Sequence, residues 1–198
     1  MLTRQEFGRQ LLHAAIGLAA VLFIYLDILT SWSLFLLIIV GCLTSMLSKR
    51  IHLPFFSFFL HHFEREEQKA TFPGKGMIFF FVGVLLAIQL FDQNIALAAI
   101  MVLALGDSVS HIIGAQFGKL RNIFNIKSKK LFEGTVAGTI AGFIGAASFV
   151  PIPEAFLGSF AAMIAEVIQI DLNETTLDDN MIVPLVAGTV MLLVGKFI

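Results

Sequence analysis

The sequence has little of what a water-exposed or secreted domain normally carries. Its 198 residues include one cysteine, Cys42, so an intramolecular disulfide is excluded and the redox compartment stays open. Charged residues make up 14% of the chain, whereas a typical soluble domain carries roughly 25%. Tyrosine and tryptophan occur once each, against 21 phenylalanines, a balance that suits hydrocarbon better than a wet surface. These shortages exclude a disulfide scaffold and disfavour a soluble domain.

Long apolar segments take the place of the missing charge. Hydrophobic residues make up 58% of the chain, and the mean hydropathy is +0.90. A membrane-spanning helix needs about 20 largely apolar residues, within a range of roughly 17–25. The segments that approach this length are Leu11–Leu26, Trp32–Leu47, Gly76–Phe91, Ile95–Gly118, Gly134–Val150, Ala155–Ile170 and Met181–Phe197. The sequence predicts an all-α, polytopic integral membrane bundle of about seven transmembrane helices, folded as a single transmembrane domain over residues 1–198.

Basic residues are concentrated on one side of these segments. If the N-terminus is cytosolic, 12 of the 13 lysines and arginines fall on the cytosolic side, and the other is Lys196 near the C-terminal end. The opposite loops, around Asp27 and Asp92, hold acidic and neutral residues. Because cytosolic loops are enriched in lysine and arginine, this asymmetry predicts a cytosolic N-terminus. We expect Arg4 and Arg9 to precede a retained anchor rather than a cleaved signal peptide.

One apolar segment, between the second and third predicted spans, is too short to cross a membrane. It begins at Pro54, which suits the first turn of a helix, and it is rich in phenylalanine before a polar stretch that starts at Glu64. We predict a short interfacial helix on the cytosolic face. His61, His62 and Glu64 are poorly spaced for a metal site on one helix, so that interpretation is disfavoured.

A few ionisable residues lie inside the apolar segments, where such side chains are costly and are functional candidates by default. They are His13, Asp107, His111 and Glu166. The predicted topology brings all of them toward the cytosolic ends of their segments. The loop before the last segment adds Asp178, Asp179 and Asn180 on the same side. These groups could simply pair with one another to hold helices together, but their common location favours a shared site.

The stretch from Leu105 to Gly138 combines this polar chemistry with rows of small residues. Asp107 and His111 are four positions apart and therefore share a helix face. Small residues recur at the same spacing, at Gly106, Ser110, Gly114 and Gly118 and again at Gly134, Gly138 and Gly142. Such rows let two backbones approach closely, so we predict a tight antiparallel helix pair. A break in the first of these helices, beside Asp107, is the alternative interpretation of the glycines.

Five basic residues between Lys119 and Lys130 connect the two predicted helices. Alone, they are typical of a positive-inside anchor or of a patch for anionic lipid. Their neighbours are Asp107 on one side and Glu133 on the other. Carboxylates that can hold Mg²⁺ beside lysines suit a nucleotide polyphosphate, because metal and lysines together neutralise its charge. No Walker A or kinase glycine-rich loop is present, so soluble nucleotide-binding folds are excluded.

Two motifs in this stretch resemble those of a known enzyme family. They are GDSVSHIIGAQFGK, over Gly106–Lys119, and KKLFEGT, over Lys129–Thr135, in this order across a short basic loop. They resemble the CTP-dependent lipid kinases, which include dolichol, phytol and other polyprenol kinases and a diacylglycerol kinase, and which are related to phosphatidate cytidylyltransferases. Further similar pieces are Glu6 with Arg9 and His13, residues 72–76, and residues 178–180 with Pro184.

The resemblance implies that a lipid hydroxyl attacks the γ-phosphate of CTP in the presence of Mg²⁺ and that CDP is released. It implies Asp107, with Glu133 or Asp179, as metal ligands, and His13 or His111 as the group that assists the hydroxyl. The implied nucleotide contacts are Lys119, Lys127, Lys129, Lys130, Gly134 and Thr135. Other residues that the resemblance assigns to the site are Arg9, Lys75, Asp178 and Asn180.

Two other functions remain open at the level of the sequence. A cytidylyltransferase would use the same CTP, metal and lysines, but it would release pyrophosphate and form a CDP-lipid. A small proton-coupled transporter would use Asp107, His111 and Glu166 as a relay, yet it predicts inverted repeats, which are not evident. The expected partners are the bilayer, CTP and a lipid alcohol, with no nucleic acid. The identity of the alcohol and homo-oligomerisation stay open.

Overall fold

A computed structural model describes residues 2–51, 53–64, 71–123, 130–168, 171–172, 175–176 and 178–197. The described chain is helical apart from its connections and one short antiparallel pairing of β1 (Asp171–Leu172) with β2 (Thr175–Thr176). The helices are α1 Arg4–Tyr25, α2 Ser31–Ser48, α3 Pro54–Phe63, α4 Lys75–Leu90, α5 Gln93–Met101, α6 Ser108–Phe117, α7 Phe132–Ala146, α8 Ile152–Ile168 and α9 Asp179–Phe197. The predicted all-α class is confirmed.

Helix length limits how many of these elements cross a membrane on their own. Within the described residues, four helices are long and apolar enough: Arg4–Tyr25, Ser31–Ser48, Gln93–Phe117 and Asp179–Phe197. Helices α4, α7 and α8 occupy other predicted spans but have 16, 15 and 17 residues. At about 1.5 Å per residue they cover less than the roughly 30 Å of a hydrocarbon core. The chain is a membrane protein by helix length and composition, but seven spans are not confirmed.

The centre of the molecule is the continuous helix Gln93–Phe117. Residues 96–100 and 102–104 are fully buried, and α5 passes into α6 through a π-helical segment, Val102–Asp107. The helix is therefore underwound beside Asp107 rather than broken there. Single π turns inside α-helices are frequent at functional sites, and here the last residue of the turn is a buried carboxylate, 7% exposed.

Helices α6 and α7 form the tight pair that the small residues predict. A Cβ built on Gly138 would lie 2.7 Å from the carbonyl oxygen of Gly106 and 2.7 Å from Sδ of Met163. A Cβ on Gly134 would lie 2.6 Å from the carbonyl oxygen of Ser110. Both distances are shorter than real contacts allow, so only glycine fits at these positions. The predicted close approach is confirmed, and it holds α7 against the segment that carries Asp107.

Candidate functional site

The polar residues that converge at one end of the bundle come from five different parts of the chain. Several lie within apolar helices, where ionisable side chains are costly and are functional candidates. Asp107 ends the π segment, His111 follows one turn later in α6, and Lys130 precedes α7. The other contributors are His13 from α1, Glu166 from α8 and Asp179, the first residue of α9.

Lys130 lies at the centre of this group. Its Nζ donates a hydrogen bond to Oδ2 of Asp179 at 2.9 Å and another to Oε1 of Glu166. The same nitrogen lies 3.8 Å from Oδ1 of Asp107. Three carboxylates on three helices therefore surround one ammonium group. We predict from the sequence that Lys130 contacts phosphate, and the structure places its ammonium among acids.

The two histidines lie near different oxygens of the Asp107 carboxylate. Nε2 of His13 lies 3.7 Å from Oδ2, and Nε2 of His111 lies 3.4 Å from Oδ1. These distances exceed the 2.7–3.2 Å of an ordinary N–H···O hydrogen bond. The ring of His13 also packs edge-on against Phe80, with 4.9 Å between the ring centroids. Asp107 is therefore surrounded by cationic or potentially cationic groups without being closely hydrogen-bonded to them.

The site also offers donor atoms for a metal ion. One ligand atom each of Asp107, His111 and Glu166 lie within 4.8 Å of one another. Within the described residues, Oδ1 of Asp107 and Oε2 of Glu166 accept no hydrogen bond, although both side chains are buried. Buried oxygens are rarely left unsatisfied, and carboxylates are the ligands that Mg²⁺ prefers. Two carboxylates with unused oxygens beside one imidazole therefore fit a small divalent cation.

Glu166 belongs to this group of candidate ligands, and the sequence-based assignment of metal ligands does not include it. It is 1% exposed, and the signal for it was present, because a glutamate near the end of an apolar segment is costly. Nothing in the spacing of the sequence indicates that α8 brings it to Asp107. The predicted ligand Asp179 lies in the same cluster through Lys130.

Glu133 has a different environment from the one the sequence suggests. Its carboxylate accepts backbone N–H groups of Lys119 at 2.9 Å and of Leu120 at 3.1 Å. Hydrogen bonds from backbone N–H groups stabilise the ionised carboxylate and lower the pKa of Glu133; the largest effect comes from its own N–H, and smaller ones come from Lys119 and Leu120. Asn122 donates to Oγ1 of Thr135 at 2.8 Å beside them. In the structure, Glu133 and Thr135 join the two ends of the basic connection.

The remaining residues that the sequence assigns to the site form contacts within and between neighbouring helices. Lys75 at the start of α4 lies 3.5 Å from Oδ2 of Asp178, whose Oδ1 accepts from Nδ2 of Asn180 at 2.8 Å. These contacts connect the start of α9, and thus Asp179, to α4. On α1, Arg9 donates to Glu6 at 2.6 Å, one turn before His13. Lys127 and Lys129 lie outside the described residues.

Comparison with known proteins adds a family but few details. No protein-family model and no solved structure match the chain. An uncharacterized protein of Methanocaldococcus jannaschii is 32% identical over 155 residues, which cover 78% of this chain and 75% of the archaeal protein. The chain belongs to the family of this archaeal protein.

A more distant relative has a named activity. The CTP-dependent diacylglycerol kinase 1 of Schizosaccharomyces pombe is 23% identical over 151 residues, which cover 66% of this chain. The match spans 64% of the kinase, less than two thirds of its length. This chain is therefore distantly similar to a CTP-dependent diacylglycerol kinase.

Proposed function

We propose that the protein is a membrane lipid kinase that transfers the γ-phosphate of CTP to the hydroxyl of a lipid alcohol and releases CDP. The observation that carries the proposal is the cluster in which the buried carboxylates of Asp107 and Glu166 and the half-buried carboxylate of Asp179 surround Lys130. Acidic groups with unused oxygens beside a lysine suit a metal-bound polyphosphate. The distant similarity to a CTP-dependent diacylglycerol kinase supports the same activity.

Phosphoryl transfer requires mainly positioning and charge neutralisation, and the proposal assigns both to named side chains. Asp107 and Glu166 would hold Mg²⁺, with His111 beside them, and the bound ion would neutralise charge on the phosphates. The lipid hydroxyl forms a bond to the γ-phosphorus while the bond between that phosphorus and the leaving CDP oxygen breaks. His13 is the proposed acceptor of the hydroxyl proton, because its Nε2 has no hydrogen-bond partner among the described residues.

Other predicted residues have supporting roles in this proposal. Glu133 positions the basic connection through the backbone N–H groups of Lys119 and Leu120. Lys127 and Lys129 are proposed phosphate contacts on the basis of the sequence. The lipid chain would lie along the outer apolar surface, which includes the exposed side chains of α1 and α2.

The product decides between this activity and its nearest alternative. Purified protein incubated with Mg²⁺, labelled CTP and an alcohol, starting with diacylglycerol and continuing with phytol, dolichol and a shorter polyprenol, is expected to form CDP and a lipid phosphate. Omitting the alcohol provides the control. Formation of pyrophosphate from a lipid phosphate would instead identify a cytidylyltransferase. Equally efficient transfer from ATP would contradict the assignment of CTP as donor.

We further propose seven spans with a cytosolic N-terminus, in which polar flanks or local bilayer thinning accommodate α4, α7 and α8. This orientation places the Asp107 cluster on the cytosolic side and α3 in the interface. Cysteines introduced at the exposed positions Asp27 and Lys119, in a Cys42→Ser background, test it. An impermeant thiol reagent is expected to label position 119 in inside-out vesicles and position 27 in right-side-out vesicles. Labelling of both positions from one side would contradict the topology.

A further inference from the structure

We propose that Lys130 is the resident cation of the Asp107 cluster and that a divalent metal ion displaces it. This inference rests on the proposed function for its role in catalysis, but the displacement itself involves neither CTP nor lipid. The sequence motif alone suggests only a lysine that contacts phosphate. In the structure, the ammonium group of this lysine lies on the acids that are proposed to hold the metal. We infer that it occupies this position before the metal binds.

The first support is that the lysine and the metal would use the same two carboxylates. Lys130 contacts Asp107 through Oδ1 and Glu166 through Oε1, and these two carboxylates with His111 form the group of ligand atoms within 4.8 Å. An ion held between these two carboxylates would lie close to Nζ of Lys130. Two cations at such separation in a poorly solvated place repel each other strongly. Binding of one therefore weakens binding of the other.

The second support is the balance of charge. Three carboxyl groups, those of Asp107, Glu166 and Asp179, surround the one ammonium group of Lys130, and the two histidines are not closely hydrogen-bonded to Asp107. Buried charges that lack full compensation are costly. Oε2 of Glu166, on a side chain 1% exposed, also has no hydrogen-bond partner among the described residues. The lysine therefore compensates the cluster only in part, and a divalent ion would compensate it better.

The exchange also suggests an order of events at the site. Without a metal, the acids hold the Lys130 ammonium and repel the phosphates of free CTP. A divalent ion on Asp107 and Glu166 reverses both effects, because it adds positive charge and releases the ammonium. Lys130 lies next to Leu131, whose backbone pairs with Arg121, so its anchoring point is fixed while its side chain can turn toward a phosphate oxygen. The lysine would thus bind phosphate only after the cation has arrived.

Metal binding by the protein alone tests this exchange. Mn²⁺ is titrated into the full chain in detergent, without nucleotide or lipid alcohol, and free Mn²⁺ is followed by electron paramagnetic resonance. Lys130→Gln is expected to bind Mn²⁺ at least about tenfold more tightly than the wild type, because a unit charge that competes at a few ångströms is gone. Lys196→Gln, the same change at an exposed and distant position, is expected to leave the affinity unchanged. Unchanged or weaker binding in folded Lys130→Gln would overturn the proposal.

A measurement on the wild type keeps the proposal testable if Lys130→Gln does not fold. Amine-reactive labelling followed by mass spectrometry is expected to show several-fold faster modification of Lys130 when Mg²⁺ is present, with Lys196 unaffected. Unchanged or slower labelling of Lys130 would contradict the displacement. Kinase activity is scored separately. Faster labelling without any phosphate transfer would overturn the proposed function alone, whereas an active kinase with unaltered labelling would overturn the exchange alone.

Discussion

Replacing Asp107 by Asn is expected to lower CTP-dependent lipid phosphorylation at least about 100-fold while the helical fold is kept. Removing one preorganised electrostatic group at a reacting centre typically costs that much or more. The carboxylate lies within 3.8 Å of His13, His111 and Lys130, and it is one of the two proposed metal-binding acids. Asparagine has the same shape, and Oδ1 of Asp107 accepts no hydrogen bond from the described residues, so the packing around it is preserved.

The measurement is the rate of lipid phosphate formation from CTP by purified variants, together with circular dichroism and thermal unfolding in detergent. Asp27→Asn is the matched control, because Asp27 is exposed in the turn after α1. Its backbone φ of 56° is one that asparagine adopts readily. Activity near that of the wild type in folded Asp107→Asn would remove Asp107 from the mechanism and with it the proposed site.

Replacing Gly138 by Ala is expected to destabilise the protein by about 1–3 kcal/mol, the usual cost of forcing extra atoms into a packed interior. The added methyl group would meet the carbonyl oxygen of Gly106 at 2.7 Å and Cβ of Ser110 at 2.8 Å. Neither neighbour can rotate away, because one is backbone and the other is a β-carbon. Relief requires α6 and α7 to separate, which also moves Asp107. We therefore expect a loss of activity together with the loss of stability.

Gly76→Ala provides the same chemical change without the clash, since no atom lies within 4 Å of a Cβ at that helical position. Because alanine favours a helix over glycine by about 1 kcal/mol, this control is expected to unfold at an unchanged or slightly higher temperature. Thermal unfolding of both variants in the same detergent gives the comparison. Equal unfolding temperatures for Gly138→Ala and the wild type would show that α6 and α7 are not packed as described.

The close pairing of α6 and α7 was predictable from the sequence because its cause is local. Small residues four positions apart, such as Gly134 and Gly138, align on one helix face whatever the rest of the chain does. The number of membrane spans was less predictable. Apolar composition identifies the segments, but the described helices α4, α7 and α8 end before the length that would identify them as spans.

The site was predictable in its general location but not in its contacts. Ionisable residues inside apolar segments, taken with the predicted topology, indicate a shared polar site, and His13 and Asp107 do lie near each other. Which acid meets which base depends on the angles between helices, which no spacing encodes. Hence the sequence does not indicate that Glu166 lies beside Asp107, or that the ammonium group of Lys130 lies among carboxylates. The backbone partners of Glu133 depend on how the connection closes between Arg121 and Leu131.

The π segment Val102–Asp107 changes the direction in which the side chains of the central helix point. Each residue of an α-helix turns the next side chain by about 100°, so one extra residue in a turn rotates everything beyond it relative to everything before it. Residues 96–100 can therefore keep the orientation that fills the interior, while Asp107 and His111 take an orientation that serves the polar end. In a regular α-helix, the rotation that buries residues 96–100 would also fix the direction of Asp107 and His111. The underwound turn lets a single helix act as the rigid axis of the bundle and also carry the buried carboxylate of Asp107.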